Sequence, residues 1–291
     1  MERPTKERAL VVIEQDKHRK ILTKLGEWSL KEGPLPRHIE VYGKLLRLQV
    51  EAKSRIPVAG TVTNRESVSG RLGEGTPIVS FEDLSLDWPL LQGLFRSVAL
   101  VLAEYAGGPN DVAALGDLAS NELTLKEAIR GWYQGKSLST IAAENQVGEE
   151  LLAAAIQAAI YPFLVVHSEA ILNMVDQGLW RRRYCPVCGG RPDFAFLDKE
   201  RGARWLLCSR CDTEWLFQRL ECPYCGTQSR DALNYFTNKQ ELYRLYTCKK
   251  CQSYIKAIDL RKTSAEVLLP LERIMTADLD RQAMEAGYKA G

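Results

Sequence analysis

Apolar positions recur at helical spacing through the first 180 residues and then change to short alternating runs. In HIEVYGKLLRLQVEAKSRI (38–56), Val41, Leu45, Leu48 and Ala52 return at steps of three and four, the stripe of an amphipathic helix. WPLLQGLFRSVALVLAEYAGG (88–108) predicts another, with Pro89 near its start and Gly107-Gly108 as its stop. SNELTLKEAIRGWYQG (120–135) opens on a Ser120 or Asn121 cap, and SLSTIAAENQ (137–146) predicts a short helix. The longest helical run, 148–178, carries Pro162 as a kink point and Gly178 as its stop. Between them, residues 57–88 are rich in turn formers and hydroxyls and read as a long loop, flexible or wrapped over the helical core.

Beyond Trp180 the period shortens to two. DFAFLDKERGARWLLC (193–208) predicts a hairpin with Gly202 in its turn, and TEWLFQRLEC (213–222) a strand. ALNYFTNKQELYRLYTC (232–248) predicts a second hairpin turning near Asn238-Lys239, and SYIKAIDL (253–260) a last strand. MTADLDRQAMEAGYKAG (275–291) predicts a capped helix. One unit occurs twice here: a CPxCG pair, a hairpin, then a second CxxC.

That repeat contains every cysteine in the 291-residue chain. They form four CxxC pairs: Cys185/Cys188, Cys208/Cys211, Cys222/Cys225 and Cys248/Cys251. A CxxC turn aims two sulfurs at one point, and two turns joined by a hairpin surround one metal ion. Nineteen residues separate Cys188 from Cys208 and 22 separate Cys225 from Cys248, close to ribbon spacing. The expected grouping is therefore Cys185, Cys188, Cys208 and Cys211 around one ion, with Cys222, Cys225, Cys248 and Cys251 around another. An interleaved cross-brace, first pair with third and second with fourth, is the alternative, and the hairpins argue against it. Thiolate tetrahedra suit zinc and rubredoxin-type iron alike, so the ligands leave the metal open. Four-cysteine sites are closed to substrate and mostly hold a fold together. About 80 residues in two lobes have little core, and a structural metal contributes on the order of 10–16 kcal/mol.

Composition adds a narrower picture. The apolar fraction of 45% suits a protein with a sizeable core, and the net charge of +2 does not mark a nucleic-acid binder. Residues 181–262, however, hold 17 Lys and Arg against 9 Asp and Glu. Arg181, Arg182, Arg183, Arg201, Arg204, Arg210, Lys249, Lys250 and Lys256, with Trp205 and Tyr254, form a candidate nucleic-acid surface. Two thiolate-bound ions of net charge about −2 each roughly halve that excess, making a zinc-ribbon nucleic-acid-binding protein the second reading. The opening residues lack an export signal, and 151–166, containing Gln157 and Pro162, is short for a membrane span and reads as a core helix. A cytoplasmic location is expected, where paired cysteines favour metal over disulfides. His18, His38 and His167 lie far apart without a nucleophile pattern, and His167 reads as a core residue. No phosphate-binding loop or catalytic set emerges. In TEW, Glu214 and Trp215 are either partner contacts or, for the tryptophan, strand packing.

The run YCPVCGGRPDFAF…RWLLCSRCDTEWLFQRLECPYCG…CKKCQSYIKAIDL resembles the formate dehydrogenase accessory protein family, FdhE. PFL before the first pair and ADLDRQAMEAGY near the end fit as well, so the resemblance covers about 162–288. It implies a cytoplasmic non-enzyme needed for active formate dehydrogenase that associates with the catalytic subunit before export. It also implies rubredoxin-type iron on the eight cysteines. The expected fold is α+β: a helical domain over 1–180, rubredoxin-like or zinc-ribbon β lobes over 181–217 and 218–262, and a C-terminal helix within 263–291. The expected partner is the formate dehydrogenase catalytic subunit; a homodimer stays open.

Overall fold

A computed structural model describes residues 6–57, 64–106 and 108–291. Residues 1–5 of the opening segment, 58–63 at the start of the predicted loop, and Gly107 of the predicted helix stop lie outside the described residues. The chain forms two compact units, one of Met1–Thr61 with Ser80–Glu169, the other of Val62–Val79 with Ala170–Gly291.

The elements run α1 (Lys6–Glu32), α2 (Arg37–Lys53), α3 (Arg65–Glu74), α4 (Trp88–Ala106), α5 (Pro109–Ser120), α6 (Glu122–Tyr133), α7 (Ser139–Glu144) and α8 (Glu149–Ile171). A 3-10 turn, Leu172–Met174, ends α8 before the predicted Gly178. Then follow β1 (Pro192–Leu197), β2 (Arg204–Cys208), β3 (Glu214–Leu216), β4 (Leu233–Thr237), β5 (Tyr243–Cys248) and β6 (Ser253–Asp259). After a 3-10 turn come α9 (Leu269–Met275), α10 (Ala277–Glu285) and β7 (Lys289–Ala290). A helical N-terminal region thus precedes a sheet region with two cysteine lobes and a C-terminal helix.

The helical unit packs α2 against α1 and α4, and α4 against α5. Asn121 supplies the predicted α6 cap, its side-chain oxygen accepting from Thr124 N–H at 3.2 Å. Helix α5 lacked a separate prediction, yet Pro109 starts it and Asp111 accepts from Gly108 N–H at 2.8 Å. The buried face of α2 is Ile39, Gly43, Leu46, Gln49 and Ala52 rather than the predicted stripe, of which only Ala52 is fully inside. Gln49 explains the rotation. Helix α8 continues through Pro162, which has no N–H to give the carbonyl four residues earlier. That carbonyl belongs to Ala158, and Gln49 Nε2 donates to it at 2.9 Å. We expect Gln49→Leu to cost about 1–3 kcal/mol by leaving a buried acceptor unsatisfied. In a Pro162→Ala background the helix supplies its own donor, so the cost should fall below about 1 kcal/mol; equal costs in denaturant unfolding would refute this coupling.

The 26-residue stretch Glu149–Met174 is apolar and long enough to cross a membrane, but 67% of its most apolar window is buried in the protein. Its part up to Glu169 runs through the core of the helical unit, with Leu152, Ala155, Ile156, Ala159, Ile160 and Phe163 fully enclosed.

In the second unit each repeat gives a three-stranded antiparallel ribbon, and the two share one sheet of order β3-β2-β1-β6-β5-β4, with β7 beside β6. The join is parallel, pairing Phe194 through Leu197 of β1 with Lys256 through Asp259 of β6. Phe194, Phe196, Leu207, Ile258 and Leu269 form a core spanning that join and α9, while α10 covers Leu245 and Tyr254 with Ala283. The 57–88 stretch differs from its predicted loop. Asn64 caps α3 through a 2.8 Å bond from Ser67 N–H, Val68 and Leu72 are buried, and Gly75 ends the helix at φ +76°. Val62–Val79 belongs to the second unit, not to the helical core.

Candidate metal centres

The CxxC turns fold locally and alike. In the first, Gly189 N–H donates to Cys185 O at 3.0 Å and Cys185 N–H to Gly190 O at 2.8 Å. The third repeats this through Gly226 to Cys222 O at 3.0 Å and Cys222 to Thr227 O at 2.9 Å. The residue after each pair has positive φ: Gly189 (69°), Asp212 (55°), Gly226 (73°) and Gln252 (54°). Two of these carry side chains and accept a conformation that usually goes to glycine. Inside the CxxC turn itself, backbone N–H groups face sulfur: Val187 N–H lies 3.4 Å from Cys185 Sγ, and Arg210 N–H 3.3 Å from Cys208 Sγ.

The sulfurs gather in consecutive pairs, not in the cross-braced arrangement. Cys185–Cys211, Cys188–Cys208 and Cys188–Cys211 are separated by 3.6, 3.5 and 3.4 Å. In the second cluster Cys222–Cys251 and Cys225–Cys248 are each 3.7 Å apart. A tetrahedron with metal–sulfur bonds of about 2.3 Å has edges of about 3.8 Å, so both clusters fit one ion. Burial pushes the Cys185 thiol well up, and Cys222 is pushed up to about 12 by burial despite backbone hydrogen bonds. Burial also raises Cys251, but bonds from the Ser253 hydroxyl and backbone outweigh it and bring that thiol down to about 7. Four buried sulfurs ionise together when a cation sits among them.

The two clusters differ in access: all four sulfur residues of the first are buried, whereas Cys225 and Cys251 of the second are partly exposed. The first is also walled from outside its own ribbon. Ile78 and Val79 N–H donate to Pro186 and Val187 O, both at 2.9 Å, and Tyr184 OH donates to Gly75 O at 2.7 Å. On another side Arg273 of α9 pairs with Asp212 at 3.1 Å and Asp193 at 3.3 Å. Gly75, Ile78 and Val79, from the stretch expected to be flexible or wrapped over the helical core, are therefore part of this centre's casing.

Several side chains counted as surface are structural. Arg204 is 2% exposed; its guanidinium donates to the carbonyls of Gln218 and Glu221 on the approach to Cys222 and stacks near Phe217 and Tyr246. Burial lowers its pKa to about 10. Lys256 is 4% exposed and bonds Asp280 at 2.6 Å, which Tyr254 OH also reaches at 2.8 Å. The candidate nucleic-acid surface loses all three: Lys256 and Tyr254 to the contact of the sheet with α10, and Arg204 to the carbonyls that lead into Cys222. Trp215 is fully buried and donates from its ring to Arg182 O at 2.9 Å, so of its two readings strand packing holds and partner contact does not. Arg181, Arg182, Arg183 and Arg201 stay exposed. His18 bonds Tyr161 OH at 2.7 Å, and His167 Nδ1 lies 2.9 Å from Phe163 O, leaving its buried Nε2 without a partner among the described residues.

Comparison with known proteins gives a consistent result. The FdhE central-domain model matches residues 184–219. An FdhE homologue of Aquifex aeolicus (strain VF5) is 33% identical over 229 residues, which span 77% of this chain and 76% of that protein. The FdhE protein of Salmonella paratyphi A (strain ATCC 9150 / SARB42) is 40% identical over 111 residues, 37% of this chain and 35% of its own. The crystal structure of the FdhE protein from Pseudomonas aeruginosa superimposes with a TM-score of 0.63, covering 95% of this chain and 94% of that one; at 22% identity this likeness concerns the fold.

Proposed function

The chain belongs to the FdhE family, and from that premise we propose that it is a non-catalytic accessory factor for formate dehydrogenase, binding the enzyme's catalytic subunit in the cytoplasm during maturation. The observation that carries the reading is the match to the Aquifex relative, whose 229 aligned residues are too many for a ribbon alone. Cys185, Cys188, Cys208 and Cys211 would hold one zinc or iron ion, and Cys222, Cys225, Cys248 and Cys251 another. Zinc there supplies a fixed tetrahedral cross-link, while iron would add a one-electron couple. The chain's own part is to keep four thiolates at one point, seal the first set behind Pro77–Val79 backbone and α9, and leave the second nearer the surface. Closed coordination suits a scaffold rather than substrate activation. A cytoplasmic, reducing setting keeps the sulfurs available as ligands.

The test combines metal analysis with capture of the purified catalytic subunit on anaerobically prepared protein at moderate salt. We expect two metal equivalents, visible charge-transfer bands if they are ferric, recovery of the subunit, and loss of formate dehydrogenase activity in a deletion strain. Normal enzyme activity in that strain, together with tight, steeply salt-dependent nucleic-acid binding, would overturn the proposal.

A further inference from the structure

Strand β4 is an edge of the sheet and, among the described residues, is bonded only to β5. Two bonds beyond its ends fix the phase of that ladder: Lys249 N–H donates to Ala232 O at 2.8 Å, and Asn238 N–H to Tyr243 O at 3.3 Å. Antiparallel pairs alternate between bonded and non-bonded, so positions 232, 234, 236 and 238 face β5 with their backbone groups. The N–H and C=O groups of Leu233, Tyr235 and Thr237 consequently point away from the sheet.

Edges of this kind are ordinarily blunted by charge, proline or a bulge. The sequence LNYFT has no charge and no proline, and its five pairs with β5 run without a register shift. Tyr235 and Phe236 are 56% and 58% exposed on opposite faces of the strand. Tyr235 is nevertheless held, with Tyr246 at 5.7 Å and the Arg244 guanidinium 5.2 Å from its ring centre. The edge is an uncharged strip about 17 Å long at about 3.4 Å per residue.

Charge defines its occupant. Arg230, Lys249 and Lys250 are exposed at one end and Lys239 at the other, and these four make no ion pair among the described residues. The nearby acids Glu241 and Asp259 are already engaged by Lys262 and by Arg244 with Arg261. Asp231 is the remaining exposed acid beside the strip. An extended segment with an apolar centre and acidic flanks would complete the sheet and meet cations at both ends.

We propose that the β4 edge binds such a segment of the formate dehydrogenase catalytic subunit by strand addition, an inference that rests on the functional reading above. Main-chain bonds to Leu233, Tyr235 and Thr237 would supply the grip, and Phe236, Tyr235 and the flanking cations the selectivity.

Because Tyr235 N–H points outward, Tyr235→Pro deletes an outer donor and leaves the β4–β5 bonds in place. In the metal-loaded full chain we expect Y235P to weaken capture of the purified catalytic subunit at least about tenfold, the effect of losing roughly 1.4 kcal/mol. R230E/K239E should weaken it several-fold and flatten its salt dependence. Both should keep two metal equivalents and the wild-type melting temperature; if Y235P does not, Thr237→Pro, which removes the neighbouring outward N–H, decides in its place. Amide exchange at Tyr235 and Thr237 should slow in the complex. Wild-type capture with unchanged capture by the proline variant and unchanged exchange overturns the edge inference alone. A wild-type chain that captures no catalytic subunit overturns the functional reading and this inference with it. A dimer that Y235P dissociates while capture persists assigns the edge to a second copy instead and also overturns the proposal.

Discussion

Serine at Cys185 is expected to remove one of two metal equivalents and to unfold much more than the first CxxC turn. A serine oxygen cannot replace the buried thiolate, and the binding energy of such an ion, on the order of 10–16 kcal/mol in small domains, is largely folding energy. The consequences differ between the centres because of where they sit in the sheet. Cys185 precedes β1, which lies at the middle of the sheet between β2 and β6. Losing the first ion loosens the β1–β2 hairpin, and with it the parallel pairing on which β6 and the core under α9 depend. Cys222→Ser acts near the outer ribbon, where β4 and β5 can fray without parting β1 from β2. Metal analysis with limited proteolysis separates the two: C185S should expose sites across 170–291, and C222S chiefly around 218–252. The partial exposure of Cys225 and Cys251 gives the same order under a chelator, with the second ion leaving first. Loss of one common ion in both single variants would contradict the grouping.

The second large effect belongs to Asp259, a carboxylate with no exposed surface at the end of β6. Arg261 Nε and a terminal nitrogen reach it at 2.8 and 2.7 Å, and Arg244 reaches it at 2.7 Å from β5. The hydrogen bonds from Arg261 lead in holding its pKa at about 2, below the ordinary 3.8, against the opposing effect of burial. A folded-state pKa below the unfolded one means that the contribution is complete above about pH 4 and fades as pH falls towards 2. At pH 7, Asp259→Asn leaves the 11%-exposed Arg244 without its counter-charge. Removing one partner of a buried pair costs about 3–5 kcal/mol; the lower end applies here because Arg261 is 37% exposed and rehydrates. Denaturant unfolding of the metal-loaded chain should show that loss as a lower midpoint at unchanged slope. A loss under about 1 kcal/mol would show that the arginines find other partners.

The sequence alone determined whatever depends on residues close along the chain. CPVCG and CPYCG announce their turns because two cysteines three apart and a following glycine suffice to aim sulfur at one point. Hairpins of 19 and 22 residues between pairs made the consecutive grouping legible, since each hairpin returns its second pair to the first. Helices α4, α6, α7 and α8 and all six main strands announced themselves through period and punctuation. Helix α3 was legible too, in its Asn64 cap, Val68 and Leu72, and Gly75, but the surrounding hydroxyls and glycines obscured it.

Only the tertiary structure decided what depends on a distant partner. Gln49 is a polar residue on a buried helix face because Pro162, 113 positions later, leaves Ala158 O without a donor. Arg204, Lys256 and Tyr254 belong inside because carbonyls and Asp280 receive them there, and nothing in a local window distinguishes them from exposed cations and aromatics. Asp212 and Gln252 take the left-handed turn that Gly189 and Gly226 signal openly, because geometry at sulfur outweighs the modest backbone penalty. The parallel join of β1 to β6 has no sequence marker at all: both strands are apolar, and which edges meet is settled by the shared core beneath them.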